Sequence, residues 1–271
     1  MDTEHPFILH HIWKKYLDYA PNSETFHLSI FPFLLAALTY FFWGFLLLPM
    51  DFYPQCRNRC KTRKLQPKKQ PTYVTVVKIL KRVVPQLLTI YPMFLIALLP
   101  LFRARIKLEA QYLPKTLIEF LKEIVLYLFI SEAVFYYNHR LLHLPWFYKR
   151  VHKIHHEFTA PIGLAAIYLH WFESLLSLGV ALTGPLLLGS HALMLDLWTF
   201  IVISKIVLHH SGYELPLDGF PPYVKSMVHF HDYHHQFYDK CFGTIGLLDY
   251  IHGTGYTDQK SFKGYEKNWP K

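Results

Sequence analysis

Residues 28–50 form an uncharged apolar run of 23 residues, and further apolar stretches follow it. About 20 such residues in helical form span the ~30 Å hydrocarbon core of a bilayer. A second run covers 83–102, where Pro85, Pro92 and Pro100 predict kinks. A third covers 116–137 and opens on Thr116-x-x-Glu119, which resembles a capping box. Continued to His143, that helix would be roughly 42 Å long, so its far end should protrude into water. Residues 174–208 are apolar except for His191, Asp196 and Lys205, and are interrupted at Gly184-Pro185 and Gly189-Ser190. This pattern predicts a hairpin of two short helices, spanning or re-entrant. Residues 211–271 are polar, aromatic and rich in turn residues, which predicts a cap outside the membrane. The expected fold is an all-α membrane protein with about four to five transmembrane or re-entrant helices. Its expected parts are a membrane region over 1–115 and a catalytic region over 116–271.

Charge orients this arrangement. The chain carries a net charge of +9 and is 52% hydrophobic and 17% aromatic, too apolar for a typical soluble protein. Residues 57–82 hold ten Lys or Arg and no acid. A basic loop beside an apolar span reads as a cytosolic flank attracted to anionic lipid, not as a nucleic-acid site. The first span then runs from lumen to cytosol, the second returns, and the third emerges with its far end in the cytosol. The three cysteines, Cys56, Cys60 and Cys241, are an odd count on an expected cytosolic face and argue against a disulfide framework. Cys56 and Cys60 read as reduced thiols at the membrane, open to palmitoylation. No secretory signal peptide is visible: Asp2 and Glu4 lie near the start, and the first apolar run is too long for a signal segment.

Histidine supplies the chemistry. Thirteen of the 18 histidines fall between positions 139 and 235. His139 and His143 are spaced H-x3-H; His152, His155 and His156 are spaced H-x2-H-H, and His231, His234 and His235 repeat that pattern. Eight clustered imidazoles are too many for one transition metal and suit two. H-x3-H puts both rings on one helix face, shared with Glu132 and Tyr136. Either of these buried side chains would hold a ligating imidazole through its second nitrogen. Within H-x2-H-H the adjacent rings diverge by about 100°, so they can address two different metals. The pairs His155-His156 and His234-His235 are therefore the expected catalytic core. His210, favoured over His209, and His170 complete the expected ligand set, and Asp232 is placed to orient His231 or His235.

The segments Y-N-H-R-L-L-H (137–143), V-H-K-I-H-H-E-F-T-A-P-I-G (151–163), H-H-S-G-Y-E (209–214) and F-H-D-Y-H-H (230–235) resemble the fatty acid hydroxylase superfamily. F-T-A-P-I-G and H-S-G-Y resemble its C4-methylsterol oxidase branch. The stretch C-F-G-T-I-G-L-L-D-Y-I-H-G-T (241–254) resembles the fatty acid hydroxylase domain-containing proteins. The resemblance covers about 123–254. It implies a non-haem diiron oxygenase of the endoplasmic reticulum membrane, with its active site facing the cytosol. The implied cofactors are two iron ions, with zinc able to replace them in a purified sample. The implied electron source is cytochrome b5 and its NAD(P)H reductase, and the implied substrate is a membrane lipid, a sterol above all. Where members often have A-H-P, this chain has L-H-W (169–171), a departure at His170. No H-P-G-G haem motif is present, and residues 268–271 lack a dilysine retrieval signal.

Sterol C4-methyl oxidation is the leading reading. Fatty acid or sphingolipid hydroxylation is the alternative within the enzyme class. A catalytically silent metal-binding scaffold for lipid enzymes belongs to another class, and the intact clusters weigh against it. Metal transport is disfavoured because transporters place ligands near the bilayer midplane.

Overall fold

The computed structural model describes residues 7–214 and 222–255; Asp2, Glu4 and residues 268–271 lie outside these. Eleven α-helices and one pair of two-residue strands make up the described fold. A short helix α1 (Ile8–Tyr19) buries Leu9 and Trp13. A π-helical turn at Phe26–Ile30 then runs directly into α2 (Phe31–Phe52). After α3 (Pro54–Arg59) and β1 (Arg63–Lys64), the second apolar stretch forms α4 (Tyr73–Leu88) and α5 (Ile90–Arg105). The expected kink is a break at Thr89. Its cause is Pro92, whose ring clashes with the carbonyl of Leu88 four residues back. Pro85 and Pro100 remain inside their helices.

α6 (Leu117–Leu142) is one 26-residue helix whose N-cap Thr116 accepts from the Glu119 N–H. Only half of the expected capping box forms, because the Glu119 carboxylate takes the Lys115 N–H instead. Past α7 (Pro145–Arg150) the chain makes two 3-10 turns, His152–Glu157 and Gly163–Ile167. The hairpin follows as α8 (Trp171–Leu188) and α9 (Ala192–His209). Of its two expected breaks only the second is real. Gly189 turns the chain in the left-handed region at φ 65°. Gly184 lies inside α8 because α6 approaches there: a Cβ would stand 3.0–3.3 Å from Tyr127. Strand β2 (Tyr213–Glu214), α10 (Pro222–Phe237) and α11 (Leu247–His252) complete the fold.

The chain is an all-α membrane protein. Among the described residues, four helical segments are long and apolar enough to cross a bilayer: Phe26–Phe52, Tyr73–Arg105, Trp171–Leu188 and Ala192–His209. α6, the third expected span, is not among them; Glu119, Lys122 and Glu123 charge its first two turns.

Two apolar cores join the helices. One gathers Tyr40, Leu47, Ile79, Leu164 and Val207, so the first span shares its core with the later histidine-bearing segments. The other gathers Trp13, Phe102, Tyr127, Met194 and Trp198. The basic loop is partly built into the protein rather than being only a solvated flank. β1 pairs antiparallel with β2, matching Arg63 to Glu214 and Lys64 to Tyr213. The Lys64 ammonium forms an ion pair with Asp51 at the end of α2, each side chain 2% exposed, and the Tyr213 hydroxyl donates to the same carboxylate at 2.9 Å.

Candidate metal centre

Nine of the ten expected histidines converge into two groups. The first holds His139 of α6, His143 at its C-cap, His152 and His156 of the first 3-10 turn, and His234 of α10. The second holds His155, His210 at the end of α9, His231 and His235. Within each group the candidate ligand nitrogens lie within 4.8 Å of one another. Every adjacent pair splits, with His155 and His235 in one group and His156 and His234 in the other. The 3-10 turn separates successive side chains by about 120° and the α-helix by about 100°, so one ring of each pair turns to each group. The groups touch: the rings of His156 and His235 are 4.8 Å apart.

The anchoring of these rings determines which nitrogen faces inward. Nδ1–H of His139 donates to the Phe242 carbonyl, of His210 to Ile206, of His234 to Lys240 and of His235 to Phe158, at 2.7, 2.7, 2.7 and 3.1 Å. His152 donates its Nδ1–H to the Glu173 carboxylate at 2.7 Å. Each of these five rings therefore presents an unprotonated Nε2 to its group. Burial holds the basicity down: His139 falls to about 4, and, with neighbouring imidazoles adding to burial, His152, His155, His156, His231, His234 and His235 fall well below the usual 6.5. They stay neutral and able to ligate at physiological pH.

These inward nitrogens crowd together, and between His139 and His152 both facing atoms are unprotonated Nε2. In the first group Nε2 of His152 lies 3.2 Å from His139 and 3.0 Å from His156, and His234 lies 3.2 Å from both His143 and His156. In the second, His210 lies 3.2 Å from His155 and 2.8 Å from His231, which lies 3.0 Å from His235. Buried lone pairs facing one another repel unless a cation lies between them, and each group, rich in neutral imidazole nitrogen, could hold a metal ion.

The remaining expected residues are placed differently. His170 belongs to neither group: it caps α8, where its Nδ1 accepts from the Phe172 N–H. Glu132 accepts from Thr244 N, Thr244 Oγ1 and Ile245 N, at 2.7, 2.7 and 3.0 Å. It thus holds the loop whose Phe242 carbonyl anchors His139, one step further out than expected. The Tyr136 hydroxyl meets Thr254 Oγ1, and its ring stacks on His252. Asp232 accepts from Gln66 at 3.1 Å, linking α10 to the segment after β1. Asp249 was not anticipated, and it takes the backbone N–H groups of Phe242 and Gly243.

Glu173 is the functional side chain that sequence reasoning missed. It is 4% exposed, holds His152 through Oε1, and has no partner for Oε2. Its only signal was an acid at the mouth of an apolar stretch, a placement that is usually functional. Removing such an outer partner typically costs roughly 10- to 100-fold in metal affinity or activity. Glu173→Ala is expected to fall in that range by competitive chelation, with Glu173→Gln milder because its amide oxygen still accepts.

An apolar cavity opens onto these groups. His139, His152, His155, His210 and His231 line one part of it, and Phe33, Ala36, Leu178, Leu182 and Val202 from the spanning helices line another.

Residues 124–254 match the family model described as fatty acid hydroxylase. The chain is 43% identical over 150 residues to fatty acid hydroxylase domain-containing protein 2 of Macaca fascicularis, a match covering 55% of this chain and 43% of that protein. It is 35% identical over 251 residues to methylsterol monooxygenase 2-2 of Arabidopsis thaliana, covering 89% and 86% of the two chains. It is 35% identical over 158 residues to very-long-chain aldehyde decarbonylase GL1-10 of Oryza sativa subsp. japonica, covering 55% and 52%. The match to the first of these relatives thus spans less than half of its length. No solved structure matches the chain.

Proposed function

Because this chain belongs to the fatty acid hydroxylase family, we propose that it oxidises a C–H bond of a membrane lipid at a two-metal site, with a sterol C4-methyl group as the leading substrate position. The observation that carries this reading is the pair of imidazole groups opening onto an apolar cavity between membrane helices. His139, His143, His152, His156 and His234 would hold one ion, and His155, His210, His231 and His235 the other. Iron suits an imidazole donor set and would supply dioxygen activation, chemistry that no side chain performs. The protein's own contribution is positional. Carbonyls and Glu173 fix the imidazole orientations, and Glu132 with Asp249 secures the loop beneath His139. The helices exclude water from the lipid tail.

The methylsterol monooxygenase relative favours the sterol among lipid substrates. A fatty acid or sphingolipid hydroxylase is the alternative, and the decarbonylase relative adds a long-chain aldehyde to the lipids worth testing. We read the site as cytosolic and the membrane as the endoplasmic reticulum, with cytochrome b5 and its reductase as electron source. The basic flank at 57–82 supports that orientation.

The test compares sterol and sphingolipid profiles of cells lacking the endogenous protein and expressing either this chain or His155→Ala/His156→Ala, which strikes both groups. A rise of 4-methylsterols in the mutant is expected. Unchanged sterols with a fall in 2-hydroxylated lipids would move the substrate to fatty acids, and no change at all would sink the oxygenase reading.

A further inference from the structure

The cavity contains one cationic side chain that the metal groups do not use. Lys205 lies on the membrane-crossing helix α9, one turn before His209, and all three of Lys205, His209 and His210 line the cavity. Its Nζ donates to Thr244 Oγ1 at 2.8 Å, and that hydroxyl donates to Glu132 at 2.7 Å. Glu132 is thus the counter-charge, one hydroxyl removed from the ammonium. An ammonium carries three donors, and Thr244 is the one acceptor recorded for it among the described residues. Leaving donors of a cation unmatched in an apolar cavity is costly. An apolar side chain would fill the same wall without that cost. Lys205 lines the cavity, so an oxygen atom of a lipid held there can accept from the remaining donors.

We propose that Lys205 recognises an oxygen atom of the lipid substrate, a hydroxyl, carbonyl or carboxylate, so that oxidation falls near the oxygenated end of the lipid and not midway along its hydrocarbon. This rests on the lipid-oxygenase reading above. α9 rises about 1.5 Å per residue, so the backbone of Lys205 sits only about 7 to 8 Å along the helix from that of His210. The apolar lining from α2, α8 and α9 then receives the hydrocarbon. Thr244 and Glu132 hold the ammonium in place, and the same loop anchors His139 through Phe242. Substrate recognition and ring orientation therefore share one structural support.

The test measures lipid binding to the full-length, iron-loaded protein in phosphatidylcholine nanodiscs. One probe pair is a 4-methylsterol and its 3-deoxy counterpart; the other is a long-chain fatty acid and the alkane of equal length. Lys205→Met is expected to weaken binding of an oxygenated probe by about tenfold or more. It should leave the matching oxygen-free probe and the metal content unchanged, and Lys205→Arg should retain part of the affinity. Which pair responds identifies the sterol or the fatty acid as the source of the oxygen. Equal loss for both members of a pair, unchanged affinity, or no binding of either oxygenated probe would overturn the proposal. If Lys205 discriminates the probes but the wild-type protein oxidises none of them, recognition stands and the oxygenase reading fails.

Discussion

His155→Ala/His235→Ala and His156→Ala/His234→Ala are each expected to retain about one metal ion where the parent holds about two. The two double variants alter neighbouring residues in the same two segments, so a general disturbance of either segment would affect both alike. The structure sends their rings to different groups. The first variant leaves the five-histidine group intact, and the second leaves the four-histidine group intact. Elemental analysis of purified protein reads the stoichiometry directly. Turnover should fall in both by more than the roughly 10- to 100-fold that loss of an outer partner costs, because ligands themselves are removed. Retention of the parental metal content in both variants would dismiss the two groups as metal sites.

The second large effect concerns stability. Asp51 and Lys64 are each 2% exposed and joined as an ion pair, with the Tyr213 hydroxyl on the same carboxylate. Removing one partner leaves an uncompensated buried charge, which typically costs about 3–5 kcal/mol. Lys64→Met and Asp51→Leu should each lower the unfolding midpoint sharply in detergent. The double variant should recover most of the loss, since apolar replacement of a buried pair is often near neutral. Equal destabilisation in the double and single variants would mean that packing around the pair, and not its charge, matters there. Because the pair connects α2 to the β1–β2 ladder, its loss should also loosen the segment that carries His209 and His210.

Much of this arrangement was legible in the chain. Apolar run lengths marked α2 and the α8–α9 hairpin, since bilayer thickness imposes a length that composition records. The three histidine clusters were legible because ligand spacing is local, and the divergence of adjacent rings follows from helix geometry alone. Glu173 was not legible: it reaches His152 from 21 positions away, on an element whose docking depends on the whole fold. The carbonyls of Ile206, Lys240, Phe242 and Phe158 carry no side-chain signature, so the anchoring of four rings is a property of backbone placement. Glu132 and Tyr136 share the α6 face with His139, as spacing indicated, but the loop at 242–254 takes up their hydrogen bonds. His170 has the residue type of a ligand and serves as a helix cap.

The Lys240 and Phe242 carbonyls that orient His234 and His139 have a consequence for biosynthesis. Phe242 leaves the ribosome 103 positions after His139, the ring that it anchors. At about 5–20 residues per second, that interval lasts roughly 5 to 20 s. Throughout it, the helix bearing His139 can already be placed while its imidazole lacks a fixed tautomer. Both rings would therefore reach their final orientation only late in the synthesis of this chain. A chain stopped just after His235 would carry all nine histidines and still lack the carbonyls that aim two of them.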